Sequence, residues 1–192
     1  MLKNPIFVFT FGETAYRMGE QITQKGIDRV VVTSFMHPKE IDDADCVLTA
    51  DDESFRKVFQ KRLTHKTLNN RIIGLFYRIF RIKEAPKVII LIAGLGGIYG
   101  SKFVVEAARL AQGAGYEHIT AILQLPFDFE GFVRRERANT ALEGVRKYTT
   151  DAIVFDHSEL AKQHQSMALG EYFSLIEQQT IEAVKKIVTQ FH

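Results

Sequence analysis

Short apolar runs alternate along this chain with longer stretches whose apolar residues recur every three or four positions, the pattern that parallel strands joined by crossover helices require. Six strands are predicted: Ile6 to Phe11, Arg29 to Phe35, Cys46 to Thr49, Lys87 to Ala93, His118 to Leu125 and Ala152 to Phe155. The run KVIILIA is apolar at every position rather than at alternate ones, which puts it between two covering layers. Helices are predicted over Glu13 to Lys25, Asp52 to Arg81 with a break, Ser101 to Gln112, Glu130 to Tyr148, and Ser158 to Thr189 with an interruption near Ser166 to Gly170. Gly113 and Gly115 follow the third of these, where a left-handed residue ends a helix.

The expected fold is α/β: a Rossmann-like three-layer domain with a mainly parallel six-stranded sheet and helices on both faces. A length of 192 residues suits one domain, and neither a repeat nor a Pro/Ser-rich linker divides it, so residues 1–192 are read as a single unit. Lys and Arg exceed Asp and Glu by only two, too small a balance for a general nucleic-acid binder, so no nucleic-acid partner is expected. Cys46 is the sole cysteine, which rules out an intrachain disulfide and a cysteine-based zinc site and favours a reducing compartment. The opening MLKNPIFVFTFGE is too short an apolar run for a signal core, and no stretch reaches the roughly 18 apolar residues of a membrane span. A cytoplasmic location is the expectation.

Chemistry concentrates in KVIILIAGLGGIYGSKFVVEAARLA, where Gly94, Gly96, Gly97 and Gly100 lie between a buried strand and an amphipathic helix. Glycines let the backbone come close to a ligand, and the free N–H groups and dipole of a helix start favour negative charge. A tight strand-to-helix connection that needs glycine only for packing accounts for the same residues equally well. Neither G-x-x-x-x-G-K-[ST] nor G-x-G-x-x-G fits, the latter because Tyr99 stands where a glycine is required.

This turn resembles the FtsZ/tubulin loop AGMGGGTGTG at Ala93, Gly94, Gly96, Gly97 and Gly100, with Ser101 replacing a threonine. Downstream, Pro126, Phe127, Phe129, Glu130, Gly131 and Arg134 match the family's PFxFEGxxR. GETAYRM is similar to GNAVNRM of the family's first loop, with Gly12, Arg17 and Met18 in register, and MALGEYFSLIEQQTIEAVKKIV resembles its long central helix. The match is weakest between Pro38 and Ala85. The resemblance implies a site for GTP or GDP, with Mg accompanying the nucleotide, built from Gly12, Gly94, Gly96, Gly97, Gly100, Ser101, Glu130, Arg134, Asp156 and Gln178. It also implies self-association or an FtsZ-like partner, and a place in cell division or the cytoskeleton.

The departures from the family point to a degenerate site. FVFTFG keeps only Gly12 of a glycine run, so the first half of the phosphate cradle is expected to be filled by bulky side chains. Ile98 and Tyr99 replace a glycine and a threonine and are expected beside the phosphates. A positive φ at Ile98 would cost roughly 1 to 2 kcal/mol. Base-contacting positions differ as well, being Glu13, Asp156, Glu177 and Gln178 here. Glu130 and Arg134 are retained around the family's sugar and phosphates, although an i,i+4 surface ion pair explains them equally. The chain carries no counterpart of the family's second domain, whose acidic loop triggers hydrolysis, so little autonomous GTPase activity and no catalytic residue are expected.

The reading is a nucleotide-binding or regulatory module. Its alternatives are a polymerising GTPase that needs a partner domain, and a non-enzymatic adaptor. The adaptor reading rests on residues 56–83, with nine Lys or Arg and no acid, where Ile72, Phe76, Ile79 and Phe80 follow helical spacing suited to a membrane surface or a protein groove. A helix that packs its apolar stripe on the sheet and leaves its cations in solvent is the plainer reading of that segment. Asp42, Asp43, Asp45, Asp51 and Asp52 lack calcium-loop spacing. Asp156, His157 and Ser158 are chain neighbours and cannot align as a hydrolase triad, and no metal site is expected.

Overall fold

The computed structural model describes residues 6–36, 47–49, 51–64, 87–164 and 166–191. Its strands are β1 (Ile6–Phe11), β2 (Val30–Met36), β3 (Val47–Leu48), β4 (Val88–Gly94), β5 (His118–Leu125) and β6 (Asp151–Asp156). The helices are α1 (Glu13–Gln24), α2 (Asp52–Thr64), α3 (Ile98–Gly113), α4 (Phe132–Arg146), α5 (His157–Gln163) and α6 (Leu169–Gln190). The six strands form one sheet in the order β3-β2-β1-β4-β5-β6, and every neighbouring pair is parallel. This is the doubly wound α/β order, and it confirms the expected fold class.

Central strands are buried on both faces, as their unbroken apolar runs require. Phe9 and Phe11 of β1, Ile89 and Leu91 of β4 and Leu123 of β5 face one core, closed by α2, α3 and α4. Val8, Ile90, Ile92 and Ile122 face the other, closed by α1 and α6. On α1 the buried residues are Ala15, Met18, Gly19 and Ile22, one stripe at helical period. Gly19 has no side chain because a Cβ there would stand about 3.1 Å from Ser34 Oγ and 3.2 Å from Thr10 and Val32 methyls.

The first core is dominated by rings. Phe35 lies 5.4 to 5.9 Å from Phe9, Phe11, Phe55 and Phe59, and Phe55 continues the cluster to Phe103 at 4.4 Å. The bulky residues of FVFTFG therefore look inward. Phe11 is fully buried among these rings and also lines the crevice described below.

Boundaries differ from expectation where glycines intervene. α3 begins at Ile98, three residues early, because Gly97 serves as its N-cap. Glu130 ends a short 3-10 turn, Asp128–Glu130, and Gly131 with φ +104° separates it from α4. The described part of the basic segment follows the plainer reading: α2 buries Phe55, Phe59 and Leu63 while Arg56 pairs with Glu106 at 2.5 Å on the surface. Residues 65–83 of that segment, Cys46, and Asp42, Asp43 and Asp45 lie outside the described residues.

Replacing Phe35 by Ala removes the ring that touches four others and should cost about 3 to 5 kcal/mol. The urea midpoint is expected to fall with the slope unchanged. A midpoint within experimental error of the parent would show that the aromatic cluster is not the packing centre described.

Candidate functional site

The connections leaving β1 and β4 turn in opposite directions, toward β2 and β5, and so open a crevice beyond the carboxyl ends of the strands. A cavity of about 320 Å³ occupies it. Phe11, Gly12, Glu13 and Thr14 line it after β1, and Gly94, Leu95 and residues 97–100 line it after β4. Gln124, Pro126, Phe127, Glu130 and Arg134 come from the end of β5 and beyond, His157 follows β6, and Phe173 reaches in from α6.

Two helix starts converge here, and no side chain caps either. Gly12, with φ +85°, precedes α1, and Gly97 precedes α3. Their backbones can meet only because side chains are missing. A Cβ on Gly100 would sit 2.5 Å from the Gly94 carbonyl oxygen and 3.2 Å from that of Phe11, and one on Gly12 would stand 3.7 Å from the Gly100 nitrogen. Gly97 differs: a Cβ there would meet open space, so this residue borders the cavity itself.

The remaining expected residues of the turn hold its shape. Gly96, at φ +94°, donates its N–H to Ser101 Oγ at 2.8 Å, and its carbonyl accepts from Arg137 Nη1 at 2.7 Å. Ser101 is buried and spends its oxygen on that bond. Neither borders the cavity. Ile98 is the first residue of α3 and is 73% exposed, and Arg29 is the one non-glycine with positive φ among the described residues, so the strain expected at Ile98 is absent. Tyr99, like Ile98, borders the cavity. Its ring turns into the core against Phe103 at 4.5 Å, and its hydroxyl hydrogen-bonds with Thr49 Oγ1.

The PFDFEG segment is held from three sides. Phe127 N–H donates to Glu130 Oε1 at 2.9 Å, Asp128 N–H to Ser158 Oγ at 2.7 Å, and Arg135 Nη1 to the Pro126 carbonyl at 2.8 Å. Arg135 also donates to both oxygens of Asp156, whose Oδ1 caps α5 through Ser158 N–H at 3.0 Å. Asp156 thus latches the ends of β5 and β6 together and does not line the cavity. Gln178 is exposed on α6 and does not line it either. Of the ten expected residues, the structure brings Gly12, Gly94, Gly97, Gly100, Glu130 and Arg134 to one concavity.

Electrostatically the wall is mixed. Arg134 Nη1 meets Glu130 Oε2 at 2.8 Å, and Glu13 pairs with Arg17 at 3.1 Å on exposed α1. His157 is buried, stacks on Phe127 at 5.0 Å and contacts the Tyr172 hydroxyl through Nδ1 at 2.9 Å. Burial holds its pKa below the ordinary imidazole value, so the ring is neutral at neutral pH. Burial likewise pushes the Tyr172 phenol up to about 12. Sequence reading missed Thr14, Gln124, His157 and Phe173 as wall residues, and Arg135 as the latch. Arg135 stands beside the motif arginine, and only the direction of its side chain tells the two apart.

Fold and pocket together define a doubly wound α/β domain with a backbone-lined crevice at the point where strand order reverses. No family model matches the chain. Over 109 residues it is 30% identical to cell division protein FtsZ 1 of Archaeoglobus fulgidus, covering 57% of this chain and 29% of that protein. It is likewise 30% identical over 109 residues to FtsZ of Methanothermobacter thermautotrophicus, covering 57% and 28%. Among solved structures it superposes on an FtsZ dimer subunit from M. jannaschii with a TM-score of 0.71 at 18% identity, over 98% of this chain and 55% of that one. CetZ from Methanosaeta thermophila gives 0.63 at 14% identity, over 96% and 53%. The chain is similar in sequence to FtsZ over about half its length and shares the fold of FtsZ and CetZ. It spans under a third of the length of these curated relatives and about half that of the solved chains.

The Arg135 hydrogen bonds, with desolvation opposing them, hold the Asp156 carboxyl below the ordinary Asp range. A depressed folded-state pKa means that the stability it contributes is present above the unfolded-state value near 4 and is lost as pH falls through the folded-state value. Asp156→Asn should therefore flatten the acid limb of stability against pH below about 4 and lower stability at pH 7. Equal acid limbs in parent and variant would exclude the latch.

Proposed function

We propose that this chain is a guanine-nucleotide-binding module of the FtsZ/tubulin type, with a reduced phosphate cradle and little hydrolysis of its own. It acts as a regulatory or structural component in cell division or the cytoskeleton. The observation that supports this most directly is the meeting of two helix starts with glycine N-caps and no side-chain cap, at Gly12 and Gly97, over one cavity that Glu130 and Arg134 also border. Such backbone favours a phosphate, and the Arg134 fork can add a charge-assisted pair. The cavity lies in the size range of small-molecule sites.

The reduction has a stated cause. Glu13 puts a carboxylate in the first turn of α1, against a phosphate's charge, and Arg134 must be shared with Glu130. TubZ of Bacillus thuringiensis serovar israelensis, which shares the fold, forms GDP-form protofilaments, and so joins nucleotide and assembly in that protein. An assembling role here is favoured by exposed apolar residues: Ile98, which lines the cavity, and Phe129, Phe132 and Val133, in the chain segment between the wall residues Phe127 and Arg134, are 63 to 82% exposed.

Gly97→Leu tests the reading because φ −71° and the open space at Cβ leave the backbone unstrained while bulk is added at a residue that lines the cavity. Stability should stay within about 1 kcal/mol of the parent. In titrations of labelled GTP, GDP and ATP, the parent should bind a guanine nucleotide with saturation, and Gly97→Leu and Arg134→Ala should weaken it by about tenfold or more. GTP turnover with Mg should stay near background. Robust turnover by the isolated chain would overturn the non-hydrolytic part of the proposal, and no saturable binding would overturn the ligand.

A further inference from the structure

The peptides of the glycine turn are held one by one. Leu95 N–H donates to the Gln124 carbonyl at 2.8 Å, Gly96 N–H to Ser101 Oγ at 2.8 Å, and the Gly96 carbonyl accepts from Arg137 Nη1 at 2.7 Å. The peptide between Gly96 and Gly97 is thus held through its oxygen alone, since no group among the described residues accepts the Gly97 N–H. Arg137 reaches that oxygen from outside the crevice. With Ser101 and Val105 it lines a separate groove between α3 and α4, whereas Gly97 borders the crevice and neither Gly96 nor Arg137 does.

A trans peptide is planar, so its C=O and N–H point in opposite directions, and fixing one fixes the other. This peptide is the only one in the turn that lies between two glycines. No Cβ on either side opposes its flipping, and Gly96 already stands at φ +94°. Turned one way it adds an N–H to a helix start that favours anions, and turned the other way it presents a carbonyl oxygen that repels them. We propose that Arg137 is a positioning residue of the phosphate cradle: by drawing the Gly96 carbonyl toward α4 it keeps the Gly97 N–H aimed at the crevice. This rests on the nucleotide reading above. The effect of Arg137 on phosphate passes through one peptide, while Arg134, three residues earlier on the same helix, borders the crevice itself.

Calorimetric titrations of the full chain with GDP and with inorganic pyrophosphate test this in the parent, in Arg137→Met and in Lys147→Met. The last removes a cation from the same groove and leaves the Gly96 carbonyl bond in place. Arg137→Met should bind both ligands about tenfold more weakly than the parent, as expected when the binding orientation is populated about one time in ten. Lys147→Met should stay within about twofold. In the parent with isotope-labelled glycine, the Gly97 amide proton should move downfield as pyrophosphate saturates, and Arg137→Met should reach the same position at its own, higher saturating concentration. An Arg137→Met affinity within about twofold of the parent, an equal loss in Lys147→Met, or a Gly97 amide that does not move in the parent would each overturn the role of Arg137. A parent that binds pyrophosphate but not GDP, with the tenfold loss in Arg137→Met, would keep that role and overturn the nucleotide reading. A parent that binds neither ligand would overturn both.

Discussion

Two chain turns can share one small volume only if neither carries side chains at the point of approach, and the rest of the site depends on that condition. Gly100 satisfies it most strictly, since a single methyl there would overlap the Gly94 carbonyl oxygen. The constraint ties α3 to the ends of β4 and β1 at once. It brings the first turn of α3 beside the start of α1 and leaves the polar ends of both helices facing a common space. The glycines of this turn are required by packing, and the same close approach leaves two helix starts without side-chain caps over one space.

The aromatic core takes up the bulky residues of the first strand. In a parallel strand alternate residues face opposite layers, so Phe9 and Phe11 go to the core under α2 and α3, while Phe11, Gly12, Glu13 and Thr14 carry the chain past the crevice. Bulk in that segment becomes a stack of rings around Phe35. Tyr99 joins the same layer from the other turn and also borders the crevice.

Much of the fold was legible because buried parallel strands announce themselves as unbroken apolar runs, and all six were located within a residue or two. Helix limits were less legible where glycine acts as a cap: Gly97 starts α3 early and Gly131 splits Glu130 from α4. Of the site, the residues that contribute backbone could be read from glycine spacing, and Glu130 and Arg134 from their motif. Side chains that reach the crevice from distant elements could not. Gln124 looks like one polar residue in a strand, His157 like part of a neighbouring triplet, and Phe173 like a helix-face apolar residue. Only strand order brings them together. Asp156 shows the converse: a residue at a family position that here forms an ion pair with Arg135, in a contact no local pattern encodes.

Charge balance around the crevice sets how it discriminates. Arg134 arrives already paired with Glu130, and Glu130 also holds the Phe127 amide, so the carboxylate is fixed while the half-exposed guanidinium retains donors to spare. Under the proposed phosphate reading, an anion would compete for part of one fork and gain little from bare charge, leaving most of the work to backbone amides. Backbone amides treat any phosphate alike. The opposite wall carries Phe127, His157 and Phe173, ring surface in place of charge, so discrimination between ligands there would rest on shape and stacking and not on further ion pairs.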